Sequence, residues 1–208
     1  MNRPDAPLDI ITLGHFNMSV AGKAVATAWP DETVKVLFCS LLSPLYRYVS
    51  WDRLCCSMWG DPVTQISRQH LEEIFIQPLK RFLIAELGFD PVITGHKGIQ
   101  IDHHRIHLDA SEFHSTAVEG LRLVSCGNPA AAYENFIRAK ALYSGIYLPD
   151  LTGTIITSTR NDLESLYLTA ILDAMPLARN AWCSRRGRTA EPGLPARRPL
   201  QALNCSHK

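Results

Sequence analysis

The stretch Gln65–Gly88, QISRQHLEEIFIQPLKRFLIAELG, is the longest run of sustained helical periodicity in the chain, and it limits what the rest can build around it. At about 100° per residue from Leu71, the side chains of Leu71, Ile74, Phe75, Pro78, Leu79 and Phe82 fall on one side. Gln69, Glu73, Ile76, Gln77 and Lys80 fall opposite, with His70 and Arg81 at the margin. A bulky apolar stripe backed by long polar side chains suits a helix that packs on a small core and shows its other face to a partner. A surface helix without a partner has the same pattern, so the neighbouring segments decide.

Upstream, Leu8–Val20 reads as two short strands interrupted at Gly14, with a turn at Ala21–Gly22. Asp31 caps a helix over Glu32–Leu42, with Val34, Leu37, Phe38 and Leu41 at helical spacing, and Ser43–Pro44 stops it. Ser50 caps a second helix over Trp51–Gly60, and Gly60–Asp61–Pro62 breaks the chain before the long helix. Downstream, Pro91–Asp109 alternates as a strand, turns at Gly95–Gly98 and continues through Gln100–Ile101 and Ile106–Leu108. Strands, three helices and a hairpin in that order predict a winged helix-turn-helix over residues 8–109. In that plan the second helix of the pair enters the major groove, where polar side chains read base edges, and the hairpin tip meets the backbone.

From 110 onward the pattern is helical only. Phe113, Ala117, Leu121 and Val124 form one stripe, Ala131, Phe136, Ala139 and Leu142–Tyr143 a second, and Leu163, Leu166, Tyr167, Ala170 and Ile171 a third. Helices of this length with small residues at contact positions predict a short tetratricopeptide-like stack over 110–175. The fold class is therefore α+β, a winged helix-turn-helix domain followed by an all-α helical domain. Core candidates are Leu37, Phe38, Leu54, Met58, Trp59, Leu71, Phe75, Phe82, Phe113, Leu121, Leu142, Tyr143, Leu163 and Tyr167. Residues 176–208 hold four prolines and six arginines without an apolar stripe, which predicts a disordered basic tail. The change in composition is sharp enough to suggest a truncated or frame-shifted terminus.

Charge follows the same division. Residues 1–175 carry 14 Lys+Arg against 19 Asp+Glu, whereas 176–208 carry 7 against 1. A mildly acidic body argues against strong nonspecific binding to nucleic acid by that part alone. No apolar run reaches the ~18 residues of a membrane span, the start MNRPDAPLD lacks the apolar core of a signal peptide, and a cytoplasmic location is expected. The six cysteines have no CxxC spacing and read as reduced thiols. His96, His103, His104 and His107 cluster without a further ligand at metal spacing, so no metal is expected. Adjacent Glu72 and Glu73 point in different directions on a helix and make no acid–base couple. With no phosphate-binding glycine loop either, the chain is read as neither an enzyme nor a cofactor binder.

The segment GNPAAAYENFIRAKALYSGIYLPDL, followed by TRNDLESLYLTAILDA, resembles the bacterial transcriptional activator domain. Gly127, Pro129, Ala141, Leu142, Tyr143, Gly145, Tyr147, Leu148, Pro149, Arg160, Leu163 and Tyr167 carry the match. Upstream, LFCSLLSP, WDRLCCSMWGD, SRQHLEEIFIQPLKRFL and GIQIDHHRIHLDASEF are similar to the response-regulator-type winged helix of SARP-type activators, so the resemblance covers about 8–175. It implies a transcription regulator that binds double-stranded promoter DNA, as a homodimer on tandem sites, while the helical domain contacts other transcription proteins. The residues expected at DNA are Arg68, Gln69, Gln77, Lys80, Arg81 and Lys97. Glu72, Glu73 and Pro78 depart from an arginine-rich recognition helix. They support an alternative in which a degenerate winged helix no longer binds DNA and the chain is a protein-interaction module.

Overall fold

The computed structural model describes residues 8–25, 28–43, 48–59 and 65–189. In chain order its elements begin with β1 (Leu8–Ile11), β2 (Asn17–Val20), β3 (Lys23–Ala24), α1 (Glu32–Leu41), β4 (Val49–Ser50) and α2 (Trp51–Trp59). A continuous helical segment follows, made of α3 (Gln65–Leu71), a π-helical turn (Glu72–Ile76) and α4 (Gln77–Leu87). Then come β5 (Val92–Thr94), β6 (Gly98–Ile101), β7 (Ile106–Leu108), α5 (Asp109–Ser125) and α6 (Pro129–Leu142). The chain continues through α7 (Thr154–Tyr167), a second π-helical stretch (Leu168–Ala174) and α8 (Met175–Thr189).

The strands form two sheets, ordered β3-β2-β1-β7 and β4-β6-β5. Ala21 and Gly22 join β2 to β3 with φ of 49° and 78°, the left-handed pair that a two-residue hairpin turn requires. The expected run from the hairpin into Ile106–Leu108 is divided. β5 and β6 pair antiparallel as the hairpin, but β7 leaves it and lies parallel to β1, Ile10 opposite Leu108. Asp102 and His103–Arg105 make the turn between them: Arg105 N–H donates to the Asp102 carbonyl at 3.1 Å, and the Asp102 carboxylate accepts from His104 N–H. Asp31 caps α1 through Thr33 N–H at 2.7 Å, as its position predicts. The break expected at Gly60–Asp61–Pro62 lies outside the described residues.

The π turn alters the reading of the long helix. Gln77 N–H donates to the Glu72 carbonyl, five residues back, so one extra residue is accommodated per turn and everything downstream rotates by about 100°. Ile76, expected outside, is fully buried, while Ile74, expected inside, is 54% exposed. Counting one residue fewer after the insertion puts Leu79 and Leu83 in line with Leu71, and all three are buried. Pro78 sits in the first turn of α4, where the restart absorbs the missing N–H that would otherwise break a ladder. Trp59, expected in the core, is 41% exposed and rests its ring 6.0 Å from Phe75.

The helical half is joined to the winged half by a continuous buried core. Asp109, the first residue of α5, accepts hydrogen bonds from Thr12 N–H at 2.9 Å, Thr12 Oγ1–H at 2.7 Å and Leu13 N–H at 2.9 Å. The segment from Tyr143 to Leu151 lies along the same edge. Gly14 N–H donates to the Ile146 carbonyl and Leu148 N–H to that of Thr12. Tyr147 is buried, which pushes its phenol well above the ordinary range; it stays protonated and donates to the Cys39 carbonyl at 3.3 Å. Arg160 of α7 holds this segment, donating to the carbonyls of Tyr147, Leu148 and Leu151. Leu148 stands at φ 43°, a left-handed conformation rare for a branched side chain.

α5 and α6 are joined through Gly127 at φ 72°, with Gly127 N–H and Asn128 N–H closing on Val124 and Leu123 carbonyls. Order does not end at 175. α8 continues to Thr189, with Ala178 buried and the Trp182 ring 5.7 Å from Tyr133 of α6. The prolines and arginines of 176–208 masked this continuation: Pro176 is at the first turn of α8, where proline is tolerated. The rest of the expected tail, 190–208, lies outside the described residues.

Candidate nucleic-acid interface

A row of side chains four residues apart, Gln69, Glu73, Gln77 and Arg81, lines the solvent side of the long helix, and each is exposed. The π turn is what aligns it. After the one-residue insertion Arg81 stands about opposite Leu71, and Lys80 moves to the flank. Arg81 lies along the helix, its Nε–H donating to the Gln77 carbonyl at 3.4 Å. Lys80, expected beside it at the duplex, instead has a side chain only 19% exposed and paired with Asp90 at 3.1 Å. A phosphate would have to displace that carboxylate.

Arg68 is likewise committed, its guanidinium 4.4 Å over the Trp51 ring, a stacking that keeps the charge while fixing its direction. Lys97 is exposed at the hairpin tip beside His96. Trp51 also donates from Nε1 to the Gly95 carbonyl at 3.0 Å. One side chain of α2 therefore touches the hairpin with its edge and the long helix with its face. Gly98 permits the hairpin to approach, since a Cβ there would collide with the Val49 carbonyl of β4. At the base of the hairpin Arg105 lies 3.9 Å over the Phe89 ring.

The structure thus leaves Gln69, Gln77, Arg81 and Lys97 open, and gives Lys80 and Arg68 intramolecular partners. Glu73 stands in the open row, so its charge opposes a phosphate. The four histidines do not converge: His107 bridges Asp9 at 3.2 Å and Glu112 at 2.9 Å, while His96, His103 and His104 are exposed along the hairpin and its turn. Sequence reasoning missed the roles of Asp90, Trp51 and Asp109, and named Arg160 through the resemblance without its role. For Asp90 a signal existed in Phe89–Asp90–Pro91 directly after the helix stop at Gly88; for Trp51 and Asp109 the partners lie tens of residues away along the chain, and for Arg160 they lie 9 to 13 residues away in a segment without regular structure.

With this geometry in view, the solved structure of Mycobacterium tuberculosis EmbR, determined in complex with a low-affinity phosphopeptide, is similar, with a TM-score of 0.54. The two fold alike. Identity is 19%, and the match covers 88% of this chain and 48% of that one, so this chain spans about half of the EmbR chain's length. At this identity the likeness is one of fold. No protein-family model matches the sequence, and no curated protein matches it.

Proposed function

We propose that the chain is a DNA-binding transcriptional regulator, in which the row Gln69–Glu73–Gln77–Arg81 enters the major groove of double-stranded DNA and the hairpin tip at Lys97 meets the backbone. The observation that supports this most directly is that row. It is solvent-facing, polar and borne on the long helix of a winged-helix arrangement whose hairpin is braced by Trp51. In this reading residues 8–109 bind DNA and the tetratricopeptide-like helices from 110 contact other proteins, a second copy on tandem sites among them. EmbR's complex with a phosphopeptide supports a protein partner for a fold of this kind. Neither catalysis nor a cofactor is part of the proposal, and the site of action is the cytoplasm. Among the described residues no helix is long and apolar enough to cross a membrane.

The second reading, a winged helix that has lost DNA and serves only protein contacts, draws on the Lys80–Asp90 pair and on Glu73 in the open row. Duplexes selected from a random pool and measured by fluorescence anisotropy with the full chain decide between them. On the first reading Arg81→Glu weakens binding by about tenfold or more, while Lys80→Met changes it by less than about threefold. Arg81→Gln lowers the slope of log K against log salt by about 0.9, one phosphate contact. No duplex bound at about 50 mM salt leaves the second reading standing.

A further inference from the structure

Two exposed side chains at the middle of the long helix, Glu73 and Ile74, are ones that a phosphate-binding surface does not need. Ile74 is 54% exposed, an apolar side chain that the π turn has swung out of the core. Glu73 stands beside it. Among the described residues no cation pairs with Glu73. Its neighbours three and four residues away, Gln69, His70, Ile76 and Gln77, include no lysine or arginine. Arg68 and Lys80, on the same helical segment, are held by Trp51 and Asp90. His70, Glu73, Ile74 and Gln77 are all exposed. They follow the i, i+3, i+4, i+7 spacing at which a helix lying in the major groove brings side chains to base edges.

We infer, resting on the DNA-binding reading, that Glu73 and Ile74 set base specificity. Glu73 accepts from the N4 amino group of a cytosine, and Ile74 packs on the 5-methyl group of a thymine within a step of it. In the major groove guanine presents two acceptors, thymine an acceptor and a methyl group, and adenine an acceptor beside its donor. Cytosine alone presents a donor and nothing that repels a carboxylate. Phosphates on both sides of the groove repel Glu73, so a cytosine edge is the favourable partner that duplex DNA offers it. Its effect is on sequence more than on affinity, because a wrong base leaves the charge desolvated and without a donor. Ile74 acts by burial, and one methyl group covered against it is worth about fourfold in affinity. Gln69 and Gln77, four residues to either side of Glu73, carry the amide that pairs with adenine. Four helical residues rise about 6 Å and successive bases about 3.4 Å, so adenines flank the cytosine at about two base steps.

Selection from a random duplex pool with the full chain, repeated with Glu73→Ala, Glu73→Gln and Ile74→Ala, tests both contacts. The wild-type motif holds a cytosine preferred about tenfold over the other bases, with adenine about two steps to either side. Glu73→Gln moves that position from cytosine to adenine. Glu73→Ala loses the preference there, while its affinity for unselected DNA stays level or rises, a split that a merely structural role does not produce. Replacing the neighbouring thymine by deoxyuridine weakens wild type about fourfold and leaves Ile74→Ala unchanged. Both side chains are exposed, so the variants fold, with circular dichroism as the check. A wild-type motif without that cytosine, a motif unchanged in Glu73→Ala, or an equal fall for every sequence overturns the Glu73 contact while the DNA-binding reading stands. Equal wild-type binding of the thymine and deoxyuridine duplexes overturns the Ile74 contact. A smaller mass for Ile74→Ala by light scattering does so too, since it puts the isoleucine against another chain. No duplex bound at about 50 mM salt ends the DNA-binding reading itself, and this specificity with it.

Discussion

Arg160→Met is the substitution from which the structure expects most. The guanidinium donates to three main-chain carbonyls, those of Tyr147 and Leu151 at 2.8 Å each and that of Leu148. Tyr147, Leu148 and Leu151 are buried, so water does not easily replace the lost donors. Hydrogen bonds from a charged donor contribute about 1.5–3 kcal/mol each, but three that share one side chain are lost together and do not add. Leu148 adds strain of about 1–3 kcal/mol that the clamp sustains, and relaxation of that strain offsets part of the loss. A net destabilisation of about 3–5 kcal/mol follows. For a chain of this length each kcal/mol lowers the melting midpoint by about 2–4 °C, so the transition falls by roughly 10 °C. Urea unfolding followed by tryptophan fluorescence measures it, and Arg160→Lys, which cannot reproduce the planar fork, recovers less than half. A loss below about 1 kcal/mol in Arg160→Met, within the range of an ordinary surface change, refutes the argument that this side chain holds the junction.

Trp51→Phe keeps the ring under Arg68 but removes the donor to Gly95, costing about 1 kcal/mol and raising hydrogen exchange across 92–101, where an unchanged rate counts against the strut. Gly120→Ala places a Cβ 2.5 Å from Phe136 Cε1, an overpacking that lowers stability by about 1–3 kcal/mol in denaturant titration. A neutral result there means the α5–α6 contact opens more readily than its geometry implies. Alkylation by iodoacetamide, mapped by mass spectrometry, labels exposed Cys126 and Cys183 in the native protein. Cys39, whose thiol burial pushes far above the ordinary range, is labelled only after unfolding. Native labelling of Cys39 at pH 8 contradicts its burial.

Local signals carried the element order well. The Asp31 cap, the turn at Ala21–Gly22, the hairpin turn between Gly95 and Gly98 and the helix stop at Gly88 each rest on one or two neighbouring residues, and each appears where the sequence puts it. What escaped were consequences of distant pairing. Nothing within Ile106–Leu108 says that β7 will desert the hairpin for β1, because both partners offer the same alternation. Fixed periodicity also failed where the period itself changes: Ile74 and Ile76 exchanged places because the wheel cannot register a π turn. The candidate DNA contacts divide on the same point. Gln69, Gln77, Arg81 and Lys97 were legible as long polar side chains on an outer face or a turn. Lys80 was not, since its partner Asp90 becomes a neighbour only when the chain folds back after α4. The resemblance around Tyr143–Pro149 and Arg160 named the right residues without their reason, which is the clamp on Tyr147–Leu151.

The inserted residue in the long helix has a consequence for any attempt to transplant specificity onto it. Grafting side chains from an unbroken α-helix by simple alignment would deliver them correctly as far as Leu71 and to the wrong azimuth beyond Ile76. Deleting one residue within Glu72–Ile76 would remove the insertion and keep Arg81 outside, whereas closing the turn to a regular α-helix with every residue retained would bring Lys80 round towards the outside and draw Arg81 away. The length of this single turn, more than the identity of any one cation near it, determines which charge the carboxyl-terminal half of the helix offers to solvent.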